Sequence, residues 1–273
     1  MYPERIVCLT EETTETLYLL GEEKRIVGIS GFTVRPPRAR KEKPKVSAFT
    51  SANIDRILEL QPDLVLGFSD LQADIAAQLI RLGIAVHVFN QRSVAQILQM
   101  IAVLGAMVGR QADAAALAAR IERGLQEVRE AARAFPVRPR VYFEEWDQPQ
   151  ISAIGWVSEL VEIAGGADCF PELARESLGK NRIIADLAEV PRRAPDIIFG
   201  SWCGKKFRPQ AVAARAGWSE VPAVRDGALF EIKSPLILQP GPAALTDGVR
   251  ALHSHIAAWA GGAQAVSSLS ASR

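Results

Sequence analysis

The chain has 273 residues, 48% of them apolar and 23% charged, and its 32 Lys and Arg against 31 Asp and Glu leave a formal charge of +1. That balance excludes a basic nucleic-acid footprint, since no Lys/Arg run is interleaved with aromatics. The three cysteines, Cys8, Cys169 and Cys203, are widely spaced and odd in number, which excludes a disulfide framework and a CxxC zinc site.

The chain opens MYPERIVCLT, with no basic start, no long apolar stretch and no small-residue cleavage site. Read as written, this predicts a cytoplasmic protein; the alternative is a periplasmic one whose start is truncated. No stretch is apolar for the ~18 residues that a membrane helix needs.

In the first half, short β-branched runs predict strands at Arg5–Leu9, Arg25–Ser30, Asp63–Phe68 and Val86–Phe89. Helical periodicity places helices between them at Thr13–Leu20, Asn53–Leu60 and Asp70–Leu82. The Pro- and Lys/Arg-rich stretch Val34–Lys45 reads as an exposed loop. Ser93 followed by Gln96 marks a capping-box start for the next helix. From Asp113 to Ala134 an Ala/Glu/Arg-rich helix follows, roughly 30 Å long and too polar for a core crossover. The pattern then restarts. Strands are expected at Arg140–Trp146, Asp196–Gly200 and Ala228–Lys233, and helices at Trp156–Gly166, Asp186–Ala194 and Ala243–Trp259.

Strand–helix alternation on both sides of one long helix predicts an α/β fold of two lobes with mainly parallel sheets. The boundaries are an N-terminal lobe over 1–112, a connecting helix over 113–135, a C-terminal lobe over 136–260 and a small, polar, disordered tail over 261–273.

This layout resembles the substrate-binding proteins of ABC importers for vitamin B12 and iron–siderophore complexes, and most of all their cobalamin-binding branch. The resemblance rests on RIVCLTEETTETLYLLGEEKRIVGIS, SANIDRILELQPDLVLGF, ELVEIAGGADCF, RRAPDIIFGS and ILQPGPAALTDGVRALHSHIAAW, which follow one another along nearly the whole chain. It implies a class III periplasmic-binding-protein-like fold, whose long helix holds two lobes nearly rigid. It implies capture of a cobalamin-like corrinoid in a cleft between those lobes, without catalysis and without a cofactor, by a monomer that serves an ABC-transporter permease. A ferric siderophore is the runner-up ligand, and a cytoplasmic corrinoid carrier or enzyme on the same fold is the alternative from another class.

The candidate site residues follow from strand ends. Trp202, directly after the strand Asp196–Gly200, is expected to wall the cleft, with Cys203, Lys205 and Arg208 beside it. Flanking cations suit a ligand carboxylate or phosphate, or a lowered Cys203 pKa; otherwise they are a solvated loop. Phe68 matches the position where the resemblance implies an aromatic wall, and Asp74 matches an acidic residue that docks to the transporter. Phe32 and Phe49 sit on loops after strand-like segments. Glu12, in the first turn of a helix, is read first as dipole compensation, and as a pocket carboxylate where this sequence departs from the family. Glu144 and Glu145 point to opposite faces of a strand, so only one of them can face the ligand; Glu145 is chosen, with Trp146. Trp156 heads a helix and completes the set. His87, His253 and His255 are too dispersed to ligate a metal, and no phosphate-binding glycine motif is present.

Overall fold

A computed structural model describes residues 2–270. The strands and helices, in chain order, are β1 (Ile6–Cys8), α1 (Glu11–Leu19), β2 (Ile26–Ser30), α2 (Ala39–Glu42), β3 (Lys45–Ser47), α3 (Ile54–Glu59), β4 (Leu64–Phe68), α4 (Ala73–Arg81) and β5 (Val86–Phe89). There follow α5 (Val94–Met107), α6 (Gln111–Ala132), β6 (Arg140–Asp147), β7 (Gln150–Ser152), α7 (Gly155–Ile163), β8 (Ala167–Asp168), α8 (Glu189–Arg193) and β9 (Ile197–Gly200). The chain closes with α9 (Pro209–Ala213), α10 (Pro222–Arg225), β10 (Leu229–Glu231), α11 (Ser234–Ile237), a π-helical turn at Ala244–Gly248, and α12 (Val249–Ser270).

These elements form two compact units. The first holds the chain up to Gln91 together with Ala95–Ile121 and Gln239–Pro242. The second holds Arg92–Val94, Glu122–Leu238 and the chain from Ala243. The division falls inside α6.

In the first unit β3-β2-β1-β4-β5 form an all-parallel sheet. Val7, Leu9, Val46, Ile57, Val65, Ile75 and Leu79 make its core on one face. The spacing of Ile75, Ala76 and Leu79 turns one side of α4 inward, and Asn53 starts α3 by accepting a hydrogen bond from the Arg56 amide at 3.0 Å. The strand order reverses between β1 and β4, so the carboxyl ends of those two strands flank the crevice that parallel sheets leave for a ligand.

The second unit's sheet runs β10-β9-β6-β7, with β8 also pairing β6. All pairs are parallel except β6–β7, a hairpin that sequence patterning missed because Gln150–Ser152 is too short to show alternation. β9 lies on one side of β6 while β7 and β8 share the other, so the carboxyl ends of β6 and β9 are again the open position.

Two further expectations are corrected. The stretch Val34–Lys45 is not a featureless loop: it carries α2, whose Ala39 is fully buried, and reaches the first residue of β3. The expected disordered tail begins as helix, because α12 continues to Ser270; residues 271–273 lie outside the described residues. The helix α6, read as too polar for a core crossover, nonetheless buries one stripe, Ala114, Leu117, Ile121, Leu125 and Val128, at helical spacing.

Gly200 ends β9 under the ring of Phe207, where an added Cβ would stand 1.8 Å from a ring carbon. Gly200→Ala is therefore expected to cost about 1–3 kcal/mol of stability through overpacking. Urea unfolding reads the loss, and an unchanged midpoint would show that Phe207 yields freely.

Candidate functional site

In the first unit the chain leaves β1 into the head of α1, where Thr10, Glu11, Glu12, Thr13, Thr14, Glu15 and Thr16 are all buried. Glu11 accepts from the backbone amides of Val34 and Arg35, fixing the loop after β2, and Glu15 pairs with the Arg35 guanidinium at 2.9 Å. Glu12 accepts from the Thr10 hydroxyl at 2.6 Å. Gly241 crosses so close to Glu12 that a Cβ on it would stand 2.5 Å from that of Glu12. Pro240, one residue earlier, accepts from the Gln91 side chain at 2.9 Å. One carboxylate oxygen of each of Glu11 and Glu12 is buried with no partner among the described residues.

Burial raises both carboxyls from the ordinary 4.5 to about 7; for Glu11 the neighbouring Glu15 and Glu12 charges add to it, and for Glu12 the Glu15 charge does. The N-terminus of α1 and the hydrogen bonds they accept favour the anions, but do not outweigh desolvation. Dipole compensation is therefore not what decides the state of Glu12: near neutral pH it is partly a neutral acid.

Gln72 ties the neighbouring strand ends together. Its side-chain oxygen accepts from the Phe68 amide at 2.9 Å, and its nitrogen donates to the Phe49 carbonyl at 2.8 Å. Ser69, at φ 60°, holds the strained turn after β4 and caps the Leu71 amide at 3.2 Å. Phe68 is buried, Phe49 half-buried and Phe32 58% exposed. Asp74 is exposed in the first turn of α4.

In the second unit the organising group is Glu144, which has no exposed surface. It accepts from the Tyr142 hydroxyl at 3.0 Å, the Trp202 indole at 3.1 Å and both terminal nitrogens of Arg215, at 2.5 and 2.9 Å. Tyr142 and Glu144, two apart on a strand, share a face, and Glu145 takes the other, as alternation requires. Glu145 is held there by a bidentate pair with buried Arg182, at 2.6 and 3.0 Å. A register shift between Glu144 and Trp146 re-aims the strand end. The Trp146 indole donates to the Gln148 carbonyl at 2.9 Å, and the Lys205 ammonium lies 4.3 Å from its ring centroid.

The structure thus separates the expected residues. Trp146, Phe49, Phe32, Cys203, Lys205 and Arg208 are at least partly open to solvent. Trp202, the expected wall, is instead interior: 5% exposed, hydrogen-bonded to Glu144, with its ring 5.0 Å from that of Phe207. Trp156 is likewise buried, its indole donating to the Ile237 carbonyl at 2.8 Å. An indole that follows a strand can satisfy its N–H inward when a buried acceptor lies on the next strand, and no sequence signal announced that acceptor. Partial desolvation and the Glu145 charge push the Cys203 thiol up, the opposite of the lowering that its cationic neighbours suggested. Glu144, Arg215 and Arg182 were missed as organisers; the Arg215 and Glu144 pairing spans 71 residues. A cavity of about 250 Å³ beside the head of α7, lined by Ser158, Glu159 and Arg175 among others, is small for a macrocycle.

A family model described as "Periplasmic binding protein" matches residues 6–236. The chain belongs to that family. Its members are binding proteins, not enzymes, and the two-unit α/β architecture with parallel sheets is theirs. Among its relatives is an uncharacterized ABC transporter substrate-binding lipoprotein, YvrC, of Bacillus subtilis, 26% identical over 93% of this chain and 80% of that protein. The vitamin B12-binding protein of Vibrio parahaemolyticus is 24% identical over 89% of this chain and 86% of its own. Among solved structures, the periplasmic heme-binding protein RhuT from Roseiflexus sp. RS-1 superposes with a TM-score of 0.78 at 23% identity, over 93% of this chain and 99% of that one.

Two outcomes follow. Because Glu11 and Glu12 bind protons more tightly folded than unfolded, stability is greatest below about pH 4.5 as far as these two acids are concerned. It declines as pH rises through about 7. Glu12→Gln should remove its share, up to about 3 kcal/mol between pH 5 and 8, and flatten the pH dependence of urea unfolding. A variant with the wild-type slope would contradict this. Trp202→Ala should cost about 3–5 kcal/mol, by opening a cavity and removing one donor from Glu144. A melting temperature within a degree or two of wild type would return Trp202 to the surface.

Proposed function

We propose that this protein is the substrate-binding component of an ABC-type importer and that its ligand is a cobalamin-like corrinoid. The observation that carries the reading is the match, along most of both chains, to a protein named for vitamin B12 binding. The chemistry of the accessible strand-end residues agrees with it. Trp146, at the end of β6, offers aromatic surface to an apolar disc. Lys205 and Arg208, both exposed, suit its phosphate. On this reading the protein acts as a monomer on the outer face of the membrane and delivers its ligand to a permease, with Asp74 at the docking surface. The reading sets that location against the cytoplasmic one expected from the N-terminal residues, and cell fractionation decides between them.

A heme or ferric chelate is the second reading, favoured by the fold likeness to a heme-binding protein and by the exposed cations at Lys205, Lys206 and Arg208. Calorimetry with cyanocobalamin, cobinamide, hemin and a ferric siderophore in parallel separates them. The expected result is corrinoid binding at micromolar Kd or tighter, with the corrinoid recovered unchanged. Heat from hemin or the ferric chelate, and none from either corrinoid, would overturn the assignment.

A further inference from the structure

At the end of β6 one ammonium is surrounded by groups from two strand ends. The Lys205 nitrogen lies 4.3 Å from the ring centroid of Trp146 and 5.0 Å from that of Trp202, and it is ion-paired with Asp147. Both rings are within the ~6 Å at which an indole face attracts a cation. The receiving groups are fixed. Trp202 is pinned by its bond to Glu144 and by Phe207, and Trp146 by its bond to the Gln148 carbonyl. The Asp147 side chain is 18% exposed.

The occupant is the adjustable part. The Lys205 side chain is 41% exposed and rides on the exposed run Cys203–Lys206, whose Gly204 turns at φ 79°. A primary ammonium on a flexible four-carbon stem loses rotamer freedom and hydration when held this way. An alkylated ammonium carries the same charge, is weakly hydrated and spreads over two rings.

We propose that Trp146, Trp202 and Asp147 form a receptor for a small organic cation of the alkylammonium class, and that Lys205 is its built-in occupant. An incoming cation displaces the Lys205 side chain, exchanging one ammonium for another with no covalent step. Lys205 also shields the ring of Trp202, so its departure uncovers the second aromatic face. The inference concerns groups of the second unit alone and does not depend on which ligand the importer reading assigns.

The test is titration of wild type and Lys205→Ala with tetramethylammonium and choline, read by calorimetry and by saturation-transfer NMR. The neutral choline isostere 3,3-dimethylbutan-1-ol serves as control. Lys205→Ala is expected to bind both cations at least about tenfold tighter than wild type, in the millimolar range, and to ignore the alcohol. Adding Trp146→Ala to Lys205→Ala should abolish the gain. If that pair fails to fold, Asp147→Asn with Lys205→Ala reads the same loss. Equal affinity in wild type and Lys205→Ala, binding of the alcohol as tightly as choline, or a gain that survives both second substitutions would each overturn the proposal. Corrinoid titrations of the same variants report separately on the importer reading.

Discussion

A carboxylate with no exposed surface needs every lone pair answered, and the second unit is built around that demand at Glu144. A lone buried anion costs several kcal/mol, and removing one partner from a buried pair costs about 3–5 kcal/mol. Here the answer comes from three separate parts of the chain: Tyr142 on the same strand, Trp202 just past β9, and Arg215 just beyond α9. Holding all three fixes how β6, β9 and the following loops end. The positions of Trp146 and of the loop that bears Lys205 are consequences.

The first unit meets the same problem differently. The desolvated acids Glu11 and Glu12 stand at the corresponding strand end, but among the described residues no arginine chelates either as Arg215 does Glu144. Glu11 is answered by two backbone amides and Glu12 by a threonine hydroxyl. Burial then wins, and both carboxyls hold their protons to about pH 7. A half-neutral acid is a hydrogen-bond donor as well as an acceptor. Gly241 is needed because any side chain there would strike Glu12.

Placing aromatics at strand ends leaves two uses for each ring, as a wall or as filler, and the difference lies in where its polar edge finds a partner. Trp156 and Trp202 direct their N–H groups to Ile237 and Glu144 and become interior. Trp146 bonds to a carbonyl two residues away and stays partly open, because a local partner does not draw the ring into the core.

Local sequence determined much of this protein. Runs such as DLVLGF and DIIFG were legible as buried parallel strands, because apolar β-branched density needs no distant partner to be recognised. The opposition of Glu144 and Glu145 was legible too, since side-chain alternation is a property of the strand itself. The family, too, could be read from ordered stretches along the chain. Tertiary structure alone decided the rest. The short strands β3 and β7 exist because neighbours pair with them, not because Lys45–Ser47 or Gln150–Ser152 prefer extension. The roles of Glu12, Trp202 and Arg182 depended on what the fold buries beside them. Desolvation and long-range pairing act between residues that sequence spacing cannot relate, so Arg215 could be found as the partner of Glu144 only once the chain had brought them together.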